Sequence, residues 1–175
     1  MQRFPEIELA RWVLSEQPGI THLKLQKLCF YAYGYGLAEG HADELGDVRF
    51  EAWTHGPVCR EVYDRYQAHG RAPIPVDAPP PAYSQRAETT LRHVLSVYGQ
   101  LSAWELREQS HLEPPWCNTR INAEIPRDAI RQHFAGRVTA PAWLFGMASG
   151  ALDGIPEGRP LQFDSIGAMA AALGR

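Results

Sequence analysis

At 175 residues, 45% of them apolar, the chain has material for one ordinary domain with a sizeable core, which excludes global disorder and leaves little room for two domains. Its 17 basic against 20 acidic residues leave a net charge of -3, so no surplus exists for a broad phosphate-binding surface, and nucleic acid is not an expected partner. Cys29, Cys59 and Cys117 form no C-x-x-C pair, no apolar run reaches the roughly 20 residues of a membrane span, and no leader is recognisable, so a reducing, cytoplasmic setting is expected.

A first helix is predicted over residues 5–16, with Pro5 in its first turn and Ile7, Ala10, Val13 and Leu14 on one side. Pro18-Gly19 ends it. Thr21 stands where an N-cap would, and Leu25, Leu28, Cys29, Ala32 and Gly36 follow at helical spacing. Gly34 and Gly36 each weaken that helix by about 1 kcal/mol relative to alanine, which predicts a second element packed closely against them. After a polar loop, residues 48–53 read as a short strand. His55-Gly56-Pro57 reads as a turn, with Pro57 opening a helix whose stripe is Val58, Val62 and Tyr66 and which Gly70 closes.

Residues 71–83 carry prolines at 73, 75, 79, 80 and 81 and predict a stiff, extended connector. A helix over about 86–98 presents Leu91, Val94, Leu95 and Tyr98. Ser102 and Glu105 fit a capping box for the next helix, with Leu101 and Leu106 as its hydrophobic staple. Pro114-Pro115 stops that helix and Trp116 is expected to pack back as an anchor. Ile125-Pro126 introduces a short helix with Ile130 and Phe134 facing inward. Residues 136–175 differ, being rich in glycine and alanine, with a weak terminal helix from about Ser165 to Leu173. The expected fold is therefore mainly α: one compact helical domain over 1–135, with a short strand or hairpin element before Gly56-Pro-Val58, and a C-terminal extension over 136–175.

Two dense segments, Leu23 to Tyr31 and Phe50-Glu-Ala-Trp53 followed by Gly56-Pro-Val58 and Val62-Tyr63, resemble the SocA-like antitoxin domain, also called the Panacea domain. A later stretch, Leu106 to Trp116, matches through Ser110-His111 and Pro115-Trp116, and the resemblance covers about residues 5–135. It implies a mainly helical, non-enzymatic antitoxin of a toxin–antitoxin pair, which neutralises a cognate protein toxin by direct contact. One branch of the family works as an adaptor that delivers the toxin to an ATP-dependent protease, and this implies a second class of partner. The resemblance transfers no catalytic triad, metal site or cofactor, and it leaves a homo-oligomer open. Ser110 stands where the family more often has threonine, and residues 136–175 lie outside the pattern.

Candidate contact residues follow from the polar and aromatic positions. Lys24, Gln26 and Lys27 lie on the polar side of the helix whose other side is Leu25 and Leu28; they read as a partner-binding edge or as a solvated face. In the extension, Trp143 and Phe145, with Leu144 and Met147, either close over the core or form the surface that the toxin covers. Trp53, Gly56, Pro57, Val58 and Tyr63 read as the tie between strand and helix, and His111 and Trp116 as the fixing of the later loop. His55 and Cys59 suggest a metal pair or a thiolate–imidazole couple, and a small cysteine-dependent hydrolase using Cys59 with His55 or His111 is the alternative. The intervening Gly-Pro breaks the one-face argument, and two further ligands are missing. Glu61 and Asp64 share a helix side but lack an apolar setting that would raise a carboxyl, so they read as a charged face.

Overall fold

The second helix organises the molecule. In the computed structural model, which describes residues 4–135, 137–140 and 161–163, α1 (Pro5–Glu16) leads into α2 (His22–Ala38), and every residue of α2 from Leu25 to Leu37 is buried. A helix without a polar stripe needs cover on all sides. The cover comes from α1, from α5 (Gln85–Tyr98), α6 (Ala103–His111) and α8 (Arg127–Phe134), and from a small hairpin. A short α3 (Ala42–Leu45) closes the end of α2.

Close approach explains the glycines. A Cβ added at Gly34 would stand 2.2 Å from the Phe134 ring, and one at Gly36 would stand 2.3 Å from Leu45 Cδ1. The predicted tight packing is present, with α8 and α3 as the partners. Around it lies an aromatic core in which Tyr31 stacks on Tyr98 at 4.0 Å and Phe30 meets Phe50 and Phe134 edge-on.

The strand element is a hairpin of β1 (Glu51–Trp53) and β2 (Gly56–Val58), antiparallel, with Glu51 opposite Val58, Ala52 opposite Pro57 and Trp53 opposite Gly56. Gly56 has φ +96°, a conformation side chains resist. The other edge of β1 is covered by residues 122–125: Ala52 donates to the Ala123 carbonyl, and Asn122 donates back to the Ala52 carbonyl. Pro57 therefore does not open a helix, as its Gly-Pro context predicts; it sits within β2, and α4 (Arg60–Tyr66) begins three residues later. Hydrogen bonds from α2 hold residues 57–59 extended, and this tertiary pairing overrides the local proline signal.

The other predicted helices form close to their expected limits. Ser84 caps α5 through the Ala87 N–H. The Ser102–Glu105 capping box is complete, and Leu101 and Leu106 are buried across it. Pro114 ends α6 as expected but also starts a further turn, α7 (Pro114–Cys117). Ile130 and Phe134 of α8 face the core. The proline-rich connector is pinned at two points: Ile74 is buried and donates to the Ile20 carbonyl, and Asp77 accepts from Arg65 and Tyr66. A second antiparallel pair, β3 (Val138–Ala140) and β4 (Leu161–Phe163), was not expected from the sequence. The terminal helix predicted over about 165–173 lies outside the described residues, as do Trp143 and Phe145.

Candidate functional site

The signature residues converge where the first turns of α2 meet the hairpin. The Gln26 carboxamide is matched to the backbone of Cys59, accepting from its N–H at 2.8 Å and donating to its carbonyl at 3.1 Å. Lys27 Nζ donates to the Pro57 carbonyl at 2.8 Å. A side chain at Gly56 would strike both Lys27 Nζ, at 2.8 Å, and Ser110 Oγ, at 2.6 Å, so helix, hairpin and α6 meet at this glycine. Ser110 in turn donates to the Arg107 carbonyl.

This geometry corrects the expected polar face of α2. Gln26 and Lys27 are buried, at 1% and 0% exposure, and face the hairpin rather than solvent. Burial, helped by the charge of Arg107, lowers the Lys27 pKa to about 7. Lys24 is part-buried and donates to the Gly99 carbonyl at 2.7 Å, placing a cation at the C-terminal end of α5. Desolvation lowers its pKa as well.

On the outer side of this clamp is a cleft of about 450 Å³, lined by His22, Trp53, His55, Tyr63 and Asn122 among others. The Trp53 and Tyr63 rings are 4.9 Å apart, and the His22 ring meets Tyr63 at a tilt of 60°, with centroids 5.2 Å apart. Trp53 is held in place by its indole N–H, which donates to Glu51 at 2.8 Å. The same carboxylate takes a two-pronged contact from Arg60, at 3.0 and 2.8 Å, and the guanidinium lies 5.2 Å from the Trp53 ring centroid. These hydrogen bonds, Arg60 first, hold the Glu51 carboxyl below its ordinary range. Behind the cleft, Trp116 donates its indole N–H to the Trp53 carbonyl at 2.9 Å and stacks on His111 at 4.1 Å, the anchoring predicted for it. Burial, then Arg107 and Lys27, lowers the His111 pKa.

The nucleophile reading finds no geometry to support it. Cys59 is buried, and desolvation pushes its thiol up, away from a reactive thiolate. Its Sγ donates to Glu61 at 3.4 Å, whereas exposed His55 accepts from Arg107 at 3.4 Å. Among the described residues no group of three or more His, Cys, Asp or Glu side chains could hold a metal ion, and no helix is long and apolar enough to cross a membrane.

The sequence reading missed Glu51, Arg60 and His22 as cleft residues. The charge pattern offers no local signal for them, because they meet only once the hairpin has folded onto α2. It also missed Glu113, whose position before Pro114-Pro115 suggests a surface loop but which is buried and accepts from Tyr31 at 3.2 Å.

The family model described as "Antitoxin SocA-like, Panacea domain" matches residues 25–117. No curated protein and no solved structure gives a match.

Proposed function

Because the chain belongs to the SocA-like, Panacea domain family, we propose that it is the antitoxin of a toxin–antitoxin pair and neutralises its cognate toxin by direct protein contact at the aromatic cleft. The reading rests on one observation above all. The matched span runs from the buried face of α2 to the end of α7, and within it Trp53, Tyr63 and Arg60 stand together at an open cleft. Trp, Tyr and Arg are the residue types that dominate the energy of protein interfaces. Glu51 and Trp116 fix the Trp53 side chain and backbone, so little conformational freedom is lost when a partner covers them.

In this reading Gln26 and Lys27 act through the hairpin they hold. Lys24, Trp143 and Phe145 are further candidate contacts for the toxin. Delivery of the toxin to an ATP-dependent protease is the competing mechanism, and the same experiment separates the two.

The test is co-purification with the product of the neighbouring gene, followed by toxin assays in a purified, protease-free mixture. Direct neutralisation predicts full inhibition there; inhibition seen only in cells, with a shortened toxin half-life, would transfer the role to the adaptor mechanism. Trp53→Ala is expected to weaken binding by about 30-fold or more, the scale of an interface hot spot. Arg60→Glu, at a side chain 53% exposed, should also abolish growth rescue without unfolding the domain. Full rescue by both variants would remove the cleft from the interface.

A further inference from the structure

A second cleft, of about 580 Å³, lies between α6, α7 and α8 and shares no lining residue with the hairpin cleft. Its apolar rim includes Trp104, 58% exposed, and Leu112, 82% exposed, two of the most exposed large apolar side chains among the described residues. Its floor is polar and buried. Glu113 is 6% exposed; its Oε1 accepts from Tyr31 at 3.2 Å and from Gln109 at 3.4 Å. Its Oε2 has no hydrogen-bond partner, and neither has Nε2 of His133, whose side chain is 4% exposed; the two atoms are 3.9 Å apart.

That separation is too long for a hydrogen bond, and a buried carboxylate oxygen without a donor is costly. Arg137, which also lines the cleft, donates from Nε to the His133 carbonyl at the end of α8, and Glu113 Oε2 is left without a hydrogen bond. The rim adds two more carboxylates: Glu105, which accepts from the Ser102 N–H, and Glu108, which pairs with Arg107. The site is thus an apolar slot whose lining carries three carboxylates against the one guanidinium of Arg137, with Glu113 Oε2 and His133 Nε2 both unpartnered at its base.

We infer that this cleft is a recognition pocket for a basic side chain, flanked by apolar residues, on a partner protein. A guanidinium fits best. Its fork of N–H donors satisfies Glu113 Oε2 and, in the tautomer that carries the proton on Nδ1, His133 Nε2 as well, while its methylene stem packs between Trp104 and Leu112. The pocket does not depend on the antitoxin reading, because nothing in it requires the partner to be the toxin.

The experiment uses the isotope-labelled full-length chain and two capped tripeptides, acetyl-Leu-Arg-Leu-amide and acetyl-Leu-Glu-Leu-amide, followed by amide and indole chemical shifts. The arginine peptide should move the Trp104 indole and the Leu112 and His133 signals, and the glutamate peptide should not. Glu113→Gln should weaken the arginine peptide by about tenfold, the value of a charge-assisted contact. Trp104→Ala, at an exposed position, tests the slot should Glu113→Gln disturb the fold, and it too should weaken binding. Equal binding of both peptides, shifts confined to the hairpin cleft, or affinity unchanged in both variants would overturn the assignment. So would self-association that Trp104→Ala abolishes in a chain that ignores the arginine peptide, because the occupant would then be a second copy.

Discussion

The two ends of α2 are buried by opposite means. Toward its C-terminus the helix removes side chains: Gly34 and Gly36 let Phe134 and Leu45 lie against the backbone, and aromatic rings fill the remainder. Toward its N-terminus it buries long polar side chains, and Gln26 and Lys27 spend their hydrogen bonds on the backbone of the hairpin. The first end is held mainly by shape, with hydroxyl hydrogen bonds of Tyr33 and Tyr35 beside it; the second is held by hydrogen bonds, one from an amine whose pKa is about 7. The end that carries the candidate interface is thus the one whose rigidity depends on polar chemistry.

Gln26→Leu should expose this difference most strongly. It keeps the volume but leaves the Cys59 N–H buried without its acceptor and takes one of two donors from the Cys59 carbonyl, which keeps Tyr63. The expected loss is about 3 kcal/mol in chemical denaturation, with a parallel loss of partner binding as the hairpin loosens. A stability unchanged within error would mean that the carboxamide does not hold the hairpin. Gly34→Ala should cost somewhat less, about 2 kcal/mol, because α8 must move away from a methyl group set against the Phe134 ring. Its effect should fall on stability alone and leave the hairpin cleft's affinity unaltered; loss of affinity at full stability would break the separation of the two ends.

Much of the fold was legible because its signals are local. Pro5, the Ser102–Glu105 box and the stripe of α5 are set by residues a few positions apart, and each forms where expected. The glycines of α2 announced close packing, though not which elements would supply it. The N-terminal end of α2 was misread for a physical reason. Lysine and glutamine in a helix ordinarily face water, and their burial here depends on acceptors about 30 residues away in sequence. The same long-range bonds turned Pro57 into a strand residue. Trp53 and Tyr63 were recognised as structural, but their meeting with Arg60, Glu51 and His22 is a product of the fold and has no sequence spacing to betray it.

Lys27 gives the subtlest separation of the two ends. With its folded pKa lowered to about 7 and an unfolded value near 10.4, the unfolded chain holds more protons between these limits, so stability rises with pH across them. Below pH 7 both states are protonated and the cost of burying the charge is fully present. His22 and His111, whose pKa values burial lowers, change below this window. Burial raises Cys29, Cys59 and Tyr31; the unfolded thiols, with pKa near 8.5, begin to lose protons about one pH unit below that value, so they take back part of the gain before pH 8.5 is reached. From pH 7 to about 8.5 the folded state should therefore gain roughly 1 kcal/mol. Lys27→Met keeps the apolar stem, removes the titration and should flatten this rise; Gly34→Ala should lower the whole curve without changing its slope. A Lys27→Met protein with the same slope as the parent would place the titrating group elsewhere, outside the polar clamp.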